Sequence, residues 1–430
     1  MTSSRTPLTA ETIAVGSELL LGTRMDTNSL FLADQLATVG IPVRYKTIVG
    51  DEEEDIVRAV RIAAARCGLV IVTGGLGPTD DDCTRPAVAR VTGYPLRRRA
   101  EASSILLTRL AAWGRKPTRA HYRQTMIPAG ADVLDNPIGS APGFALRWRG
   151  RLICALPGVP AEAERMFETQ VLPRVAAMIP RTGRQSDPVP IRKLILWTFG
   201  LPEADIDQRL SGLIPKGSPI RLGLLSSPTG VLVSLTGPSE AGGDHGGLLE
   251  DLFLEVRSRL ADVVFAEGER SMEEVVGQEL LRQGLTLAVA ESCTGGLIGH
   301  RLTQVPGSSA YMDRAIVCYS NQAKSELLGV PPNLIARHGA VSREVAAAMA
   351  KGVRERSHVA VGLSVTGIAG PGGGTAAKPV GLVYVGLDAG NAGRETKEFR
   401  FHGDRSTIKT RSSQGALDLL RRWLLGREQG

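Results

Sequence analysis

Three potential nucleophiles, Ser292, Cys293 and Thr294, stand side by side in the stretch AESCTGG. An apolar run over residues 285–290 precedes them, and a helix-like stretch follows the glycine pair. A serine on a turn between a strand and a helix has backbone N–H groups nearby, which can form an oxyanion hole or hold a phosphate. A reactive thiolate needs a cationic partner, and because the sequence assigns none to Cys293, we interpret it as a small packed residue. Thr294 could donate a hydrogen bond to a ligand or cap the helix.

A serine nucleophile needs a base. None of the six histidines lies in an obvious catalytic motif, and no GxSxG elbow is present. A lysine can serve instead, and the stretch CYSNQAKSELLG offers Tyr319, Asn321 and Lys324. Burial or a nearby positive charge would lower the pKa of Lys324 so that it could accept a proton. The alternative is that Ser292 caps a helix and Lys324 is a solvated surface residue, and spacing alone leaves both interpretations open.

A glycine-rich stretch, SVTGIAGPGGG, follows another apolar run. Its backbone could approach a phosphate or a ribose closely and point N–H groups at it. A mobile surface loop would contain as many glycines, so that alternative stays open. Beside a potential nucleophile, the loop favours a phosphorylated small-molecule substrate. The residues singled out here are Thr366, Gly367, Gly370 and the glycines at 372–374.

The N-terminal part has a similar loop, VTGGLGPTDDD, at the carboxyl end of an apolar strand. Ligands of open α/β sheets bind at this edge. Gly74, Gly75 and Gly77 could bring N–H groups to a phosphate, and the aspartates at residues 80–82 could share a divalent cation with it. A tight turn followed by a helix-capping aspartate is the alternative. The loop is not a Walker A motif, because no Gly-Lys-Ser/Thr follows.

Further acids lie in loops of the same region. Glu18 follows the first predicted strand, and the turns NPIGSAPG and LPGVPAE come later, the second with Glu162 in the first turn of a helix. Each signal is weak singly. Together they predict several rigid loops and four or five acids that one sheet edge could gather.

The order of predicted elements indicates three domains. Strands and helices alternate to about residue 175, which predicts right-handed βαβ units and a parallel sheet. A small α+β stretch follows, and its GxxG at residues 243–246 is interpreted as a flexible turn. The third part opens with a capping box of Ser271 and Glu274 and then resumes the α/β pattern. We predict an α/β protein with domains at residues 1–175, 176–265 and 270–430.

Composition excludes other classes of protein. The 430 residues are 43% hydrophobic, which is ample for cores, and no apolar run reaches the roughly 18 residues of a membrane span. The N-terminal stretch lacks the layout of a signal peptide. Five scattered cysteines without a CxxC fit a reduced compartment, so a cytoplasmic location is expected. The net charge of +7 fits anionic partners such as nucleotides, or simply a solvated basic surface.

Longer motifs of this chain resemble one family, CinA. The stretches AESCTGG, GSSAYMDRAIVCYSNQAK, RHGAVS, SVTGIAGPGGGTAAKPVGLVYVGL and FHGDR resemble its nicotinamide-nucleotide amidase domain. VGSELLLG, TGGLGPTDDDCT, NPIGSAPG and LPGVPAE resemble its N-terminal domain, which is related to molybdopterin-binding folds. TFGLPEADIDQRL resembles its KH-like middle domain. The match covers nearly the whole chain, in order.

For the C-terminal domain, the resemblance implies deamidation of nicotinamide mononucleotide to nicotinate mononucleotide and ammonia, with no cofactor. It makes Ser292 the nucleophile and Lys324 the general base, with Tyr319 assisting proton transfer or positioning the serine. The substrate-binding residues would be Thr294, Gly295, Gly296, Ser309, Arg314, Asn321, Thr366, Gly367 and Gly370.

For the N-terminal domain, the resemblance implies hydrolysis of ADP-ribose to AMP and ribose 5-phosphate. A divalent ion (magnesium, manganese, cobalt or nickel) would be required, with potassium as a further ion. The metal ligands would be Glu18, Asp81, Asp82 and Glu162, and the substrate-binding residues Asn28, Gly74, Gly75, Gly77, Thr79 and Ser140. Ser140 stands where the family usually has threonine, a change that keeps the hydroxyl.

Two alternatives belong to other functional classes. The N-terminal domain could hold a nucleotide or pterin without chemistry, or the protein could be a non-enzymatic partner in DNA uptake or recombination. Only the basic charge supports the second, so a nucleic-acid partner is not expected. A membrane partner is not expected either, because no apolar run is long enough to span a membrane. The resemblance implies a homodimer.

Overall fold

The computed structural model describes residues 8–179, 189–239 and 247–426. The described residues divide into two compact units between Arg192 and Lys193, with residues 238 and 239 grouped with the first. The GxxG at residues 243–246 lies outside the described residues. No helix among those described is long and apolar enough to cross a membrane.

The first unit is built on a six-stranded sheet. Its strands are β1 Ala10–Val15, β2 Val43–Val49, β3 Leu69–Thr73, β6 Asp132–Leu134, β7 Gly143–Trp148 and β8 Arg151–Leu156, and a separate ribbon pairs β4 Leu96–Arg98 with β5 Met126–Pro128. Its helices are α1 Ser17–Leu20, α2 Asn28–Thr38, α3 Glu53–Arg66, α4 Thr84–Thr92, α5 Ala100–Ala112, α6 Pro160–Met166 and α7 Leu172–Ala176.

Strand order in this sheet is β2-β1-β3-β8-β7-β6. The first four strands pair in parallel, as predicted, so the carboxyl ends of β1, β3 and β8 meet at one edge. Alternate residues of β3 pack on opposite faces: Val70 and Val72 contact the layer of α3 and α4, and Ile71 that of α2 and α6. The antiparallel pair β6–β7 was not predicted. β7 returns into β8 through Arg149 and Gly150, both at positive φ, which is the conformation of a tight hairpin turn.

The second unit begins with the small middle domain. Its strands are β9 Ile191–Thr198, β10 Arg221–Ser227, β11 Gly230–Pro238 and β12 Val264–Glu267, in the order β10-β11-β9-β12. Its helices, α8 Glu203–Leu210 and α9 Leu248–Arg259, bury an apolar face against the sheet. The predicted α+β character of this stretch is confirmed.

The C-terminal domain contains a five-stranded sheet in the order β14-β13-β15-β16-β17. Its strands are β13 Leu287–Glu291, β14 Met312–Val317, β15 Val361–Gly367, β16 Leu382–Asp388 and β17 Arg394–Arg400. Its helices are α10 Met272–Arg282, α11 Leu297–Gln304, α12 Asn321–Leu328, α13 Pro332–His338, α14 Arg343–Ser357 and α15 Arg405–Gly426. The capping box of Ser271 and Glu274 starts α10 as predicted.

The central strand β13 lies between two parallel neighbours, β14 and β15. Its residues alternate between two apolar layers, one with α10, α11 and α15 and the other with α12, α13 and α14. Phe199 and Phe265 of the middle domain belong to the first layer, so the two domains of this unit share a core. The α/β class is confirmed, and the loops after β13, β14 and β15 are brought to one edge.

Candidate active site

The stretch AESCTGG forms a tight turn at the carboxyl end of β13. The backbone N–H of Ser292 donates to the carbonyl oxygen of Val365 on β15, at 3.0 Å. Gly295 and Gly296 have φ of 61° and 93°, a region that residues with a Cβ adopt only with strain. The glycine pair therefore lets the chain reverse directly into α11.

A buried glutamate caps α11. The carboxylate of Glu291 is fully buried and accepts the N–H groups of Gly296, Ile298 and Gly299, at 3.0, 3.1 and 2.8 Å. The partial positive charge of a helix N-terminus stabilises such an anion. The alternative in which Ser292 caps the helix is therefore wrong. Sequence reasoning assigned Glu291 no role, although an acid just before a helix start was a usable signal.

Ser292 and Lys324 are in direct contact. Lys324 Nζ lies 3.0 Å from Ser292 Oγ, 2.9 Å from the carbonyl oxygen of Cys318 and 3.1 Å from that of Tyr319. The lysine side chain is only 1% exposed, because α12, capped by Ser320, turns this position against the sheet. The interpretation of Lys324 as a solvated surface residue is wrong.

The burial of Lys324 favours its neutral form. Burial lowers the pKa of Lys324 below its ordinary value. A neutral amine has two N–H groups and one lone pair, and the two carbonyl oxygens can only accept. In the neutral amine the two N–H groups would point to the carbonyl oxygens and the lone pair would face the hydroxyl of Ser292, whereas the ammonium form donates to all three oxygens. The neutral arrangement is the one that a general base for serine requires.

The neighbouring cysteines are not comparable nucleophiles. Burial raises the pKa of the Cys293 thiol to about 12 and that of Cys318 to about 11. At neutral pH both are uncharged thiols, which are poor nucleophiles. The prediction that Cys293 is a small packed residue is confirmed.

Two predicted threonines lie beside Ser292. Thr294 Oγ1 is buried and has no hydrogen-bond partner in the described part of the chain. Thr366 follows Val365 on β15, and its Oγ1 donates to the carbonyl oxygen of Ala340 at 2.8 Å. Gly367 follows Thr366 and closes β15.

The hydroxyl of Tyr319 has a partner other than the serine. It accepts a hydrogen bond from Arg405 Nη2 at 3.0 Å, and Arg405 Nη1 donates to the carbonyl oxygen of Gly370 at 2.6 Å. The side chain of Tyr319 is 62% exposed. Tyr319 contacts Lys324 through its backbone carbonyl oxygen.

Two cations near the turn were missed by sequence reasoning. Arg405 joins the Tyr319 loop to the Gly370 loop, and Lys409 lies one helical turn further along α15. A Cβ placed on Gly295 would be 3.6 Å from Lys409 Nζ. The motif FHGDR held a signal, since its arginine opens the last helix. Two cations with glycine-rich backbone suit a phosphate.

Three predicted binding residues lie away from Ser292 or are exposed at the surface of the domain. Ser309 precedes β14, and because β13 and β14 are parallel, it lies at the opposite edge of the sheet from Ser292. Arg314 is exposed and paired with its neighbour Asp313. Asn321 is the exposed first residue of α12. Their roles stay predictions.

In the first unit, a cavity of about 670 Å³ opens at the carboxyl ends of β1, β3 and β8. Trp113 and Gln124, which were not predicted, line it, and the Gln124 Oε1 is buried without a partner in the described residues. The predicted residues that line this cavity are Glu18, Gly74, Gly75, Gly77, Asp82, Ser140 and Glu162.

Asp82 braces the glycine-rich loop. Its carboxylate accepts the N–H groups of Gly77 and Thr79, at 2.6 and 2.8 Å, and the Thr79 hydroxyl. Arg85 is buried behind the same loop and donates to the carbonyl oxygens of Leu76 and Gly77, at 2.8 and 2.7 Å. Burial lowers the pKa of Arg85 to about 10. Sequence reasoning missed Arg85, because a single arginine in a helix carries no such signal.

Among the other predicted residues of this unit, Glu162 lines the cavity, whereas Asn28 and Asp81 do not. Glu162 accepts from Asn136 Nδ2 at 2.7 Å, and Asn28 Nδ2 donates to the carbonyl oxygen of Gly158 at 3.0 Å. Within the residues that the structure describes, no group of three or more His, Cys, Asp or Glu side chains is placed to hold a metal ion.

Comparisons with known proteins agree with this organisation. Family models match at residues 11–177 (probable molybdopterin binding domain), 194–266 (damage-inducible protein CinA KH domain) and 269–424 (CinA C-terminal domain). A putative competence-damage inducible protein of Moorella thermoacetica is 42% identical over 415 residues, which cover 96% of this chain and 98% of the relative. A CinA-like protein of Geobacter sulfurreducens is 43% identical over 414 residues, with 96% and 98% covered.

Among solved structures, a competence/damage inducible protein CihA from Agrobacterium tumefaciens is 41% identical over 36% of this chain and 96% of that chain, with a TM-score of 0.35. The relatives at 42% and 43% identity extend over nearly the full length of both chains. This chain therefore belongs to the CinA family.

Proposed function

We propose that the C-terminal domain is a serine amidase with a lysine base, which hydrolyses nicotinamide mononucleotide to nicotinate mononucleotide and ammonia. The observation that carries the proposal is the 3.0 Å contact between buried Lys324 Nζ and Ser292 Oγ. In the neutral amine, the two carbonyl acceptors of Lys324 would orient its lone pair toward the serine. The substrate itself is taken from the family resemblance.

The reaction starts with proton transfer from Ser292 Oγ to neutral Lys324, as Oγ attacks the carboxamide carbon. The tetrahedral intermediate collapses, the C–N bond breaks, and Lys324 returns the proton to the leaving nitrogen, which departs as ammonia. Water then attacks the acyl-enzyme with Lys324 again as base, releasing the carboxylic acid and restoring Ser292. The backbone N–H groups of Cys293 and Thr294 lie in the turn that follows Ser292 and would donate to the developing oxyanion.

Arg405 and Lys409 support a substrate that carries a phosphate. Both belong to α15, and they lie by the Gly370 loop and the Gly295 turn respectively. Oriented backbone N–H groups and cations together favour a phosphate over a neutral group. We expect nicotinamide riboside, which lacks the phosphate, to have a higher KM than the mononucleotide.

The test is incubation of the purified protein with nicotinamide mononucleotide, with ammonia and nicotinate mononucleotide as the measured products. Wild-type protein should form both, and Ser292→Ala should form neither. Cys293→Ala is the matched control, since it changes the adjacent residue and should retain turnover. Equal product from wild type and Ser292→Ala would reject the serine as nucleophile, and no product from folded wild type would reject the substrate.

A second candidate activity belongs to the N-terminal domain, namely hydrolysis of ADP-ribose to AMP and ribose 5-phosphate. The cavity of about 670 Å³, lined by a braced glycine-rich loop and by Glu18, Asp82 and Glu162, supports it. Magnesium is commonly held by one or two carboxylates together with substrate phosphates, so one or two of these acids would be enough to hold an ion against the pyrophosphate. A bound divalent ion would neutralise pyrophosphate charge.

In this domain Arg85 and Asp82 hold the loop in shape, and Gly74, Gly75 and Gly77 let the backbone approach the pyrophosphate. Formation of AMP from ADP-ribose with magnesium, manganese, cobalt or nickel, compared with chelator alone, tests the activity. Binding of ADP-ribose without product under every metal would instead support a binding module.

A further inference from the structure

A separate cavity of about 430 Å³ lies in the second unit, lined by the middle-domain sheet together with residues of α10, α11 and α15. Neither Ser292 nor Lys324 lines it. Its volume lies within the range of small-molecule sites. Within this unit it is therefore a potential site distinct from the amidase centre.

One side of the cavity is apolar. Trp197 and Phe265 stack with ring centroids 6.4 Å apart, and Ile195, Leu232 and Met272 extend the same wall. Aromatic rings and a flexible thioether favour contact with a flat ring of a ligand.

The other side carries a polar network with one unused donor. Arg301 Nη2 donates to Glu273 and to Gln414 Oε1, both at 2.7 Å, and Arg301 Nη1 donates to Ser413 Oγ at 2.8 Å. Because the guanidinium can only donate, Gln414 must keep its Oε1 toward Arg301 and its Nε2 on the other side. Gln414 is fully buried, and its Nε2 has no partner among the described residues.

The inner charges of this cavity are already paired. Glu273 is matched by Arg301, and Glu274 accepts from Ser271 in the capping box at the start of α10. The remaining ionic side chains, Lys193, Glu269 and Arg270, are exposed. The interior thus has an apolar lining without an unbalanced charge, and Gln414, whose Nε2 is unpartnered among the described residues, is one of the residues that line it.

We propose that this cavity binds a planar, uncharged ring compound bearing a carbonyl group, with the ring against Trp197 and Phe265 and the carbonyl accepting from Gln414 Nε2. A buried N–H without a partner destabilises the free protein, and a ligand carbonyl would remove that penalty. The site does not depend on the proposed amidase activity.

Benzamide is the probe, and methyl NMR of the full-length protein with labelled methionine is the measurement. Met272 lines the cavity, and the substitution Met272→Leu assigns its methyl signal. Benzamide should shift this signal in a saturable manner. Because the reporter is Met272, benzamide that enters the amidase site instead would leave it unmoved.

Gln414→Glu is the matched variant, since it keeps an acceptor toward Arg301, replaces the N–H donor by an oxygen, and adds a negative charge that Arg301 can pair with. We expect it to weaken benzamide binding about tenfold or more, while toluene, which lacks the carbonyl, shifts Met272 equally in both proteins. If that variant is not folded, Leu232→Phe replaces it as the test. The larger side chain narrows the cavity at another lining residue and should also reduce the benzamide shift. An unmoved Met272 methyl at the solubility limit of benzamide, or equal benzamide affinity in wild type and a folded Gln414→Glu variant, would overturn the proposal.

Discussion

At the scale of single residues, the candidate amidase site depends on a lysine that has no carboxylate partner among the described residues. Lys324 contacts Ser292 and two backbone carbonyls, and burial lowers its pKa. We expect Lys324→Met to lower kcat for nicotinamide mononucleotide by ~10²–10⁴. Lys324→Arg should be as inactive, because arginine keeps its proton and cannot act as a base. Steady-state rates measure this, and an active Lys324→Arg enzyme would show that the base lies elsewhere.

The lowered pKa of Lys324 also predicts a pH dependence. The base form is neutral, so kcat/KM should rise with pH and level off below 10.5, the ordinary value for lysine. Between the lowered pKa and 10.5 the unfolded chain binds the proton that the folded chain has lost. Stability contributed by this group therefore increases with pH across that window. Denaturant unfolding of wild type and Lys324→Met should show this slope only in wild type, and identical slopes would contradict burial of the amine.

Tyr319 provides a residue-scale comparison. Its backbone carbonyl contacts Lys324, whereas its hydroxyl contacts Arg405. Tyr319→Phe keeps the carbonyl, so we expect kcat to fall less than about tenfold, well short of the loss from removing a general base. KM should rise if Arg405 helps to bind the phosphate. A kcat loss as large as that of Lys324→Met would instead show that the Tyr319 hydroxyl takes a direct part in proton transfer.

At the scale of elements, the turn between β13 and α11 is held by Glu291. Its carboxylate accepts three N–H groups in a fully buried position. Glu291→Ala would leave these donors unpaired, so we expect destabilisation of at least ~1–3 kcal/mol, the range for one such buried group. Glu291→Gln keeps one acceptor and should lose less.

Thermal and denaturant unfolding of both Glu291 variants measures the effect. Glu274→Ala, which removes a partly exposed acceptor from the capping box of α10, is the control and should lose only about 1 kcal/mol. Equal stability of wild type and Glu291→Ala would mean that the turn does not rely on this carboxylate.

At the scale of the whole molecule, the two candidate activities lie in different units and should be separable. A Cβ on Gly77 would lie 2.4 Å from Asp82 Oδ2 and so displace the loop brace. Gly77→Ala should lower ADP-ribose hydrolysis by ~10²-fold, the effect of misplacing binding groups by about 1 Å, and leave deamidation unchanged. Ser292→Ala should do the reverse.

Paired assays of both substrates on both variants measure this separation. Gly93→Ala is a control in the first unit, since a Cβ there meets no atom within 4 Å, although its φ of 77° adds backbone strain. A loss of both activities in either single variant would show that the two sites are coupled.

Much of the architecture followed from local patterns in the chain. Alternating apolar strands and amphipathic helices predicted the parallel strands of the first sheet, and a capping box predicted the start of α10. The antiparallel β6–β7 edge was missed, because its strands are short and their pairing depends on a two-residue turn at Arg149 and Gly150.

Residue types and motifs by themselves determined the fold class and, through family resemblance, a set of candidate residues that includes Ser292 and Lys324. They left open whether Lys324 is solvated or buried, since pKa depends on surroundings contributed by residues distant in the chain. Only the tertiary structure decided that point, by placing Lys324 Nζ against Ser292 and two carbonyl oxygens. It also showed that Glu291, and not Ser292, caps the helix α11. It further revealed the contacts of Arg405 with Tyr319 and of Gln414 with Arg301, which join segments far apart in sequence.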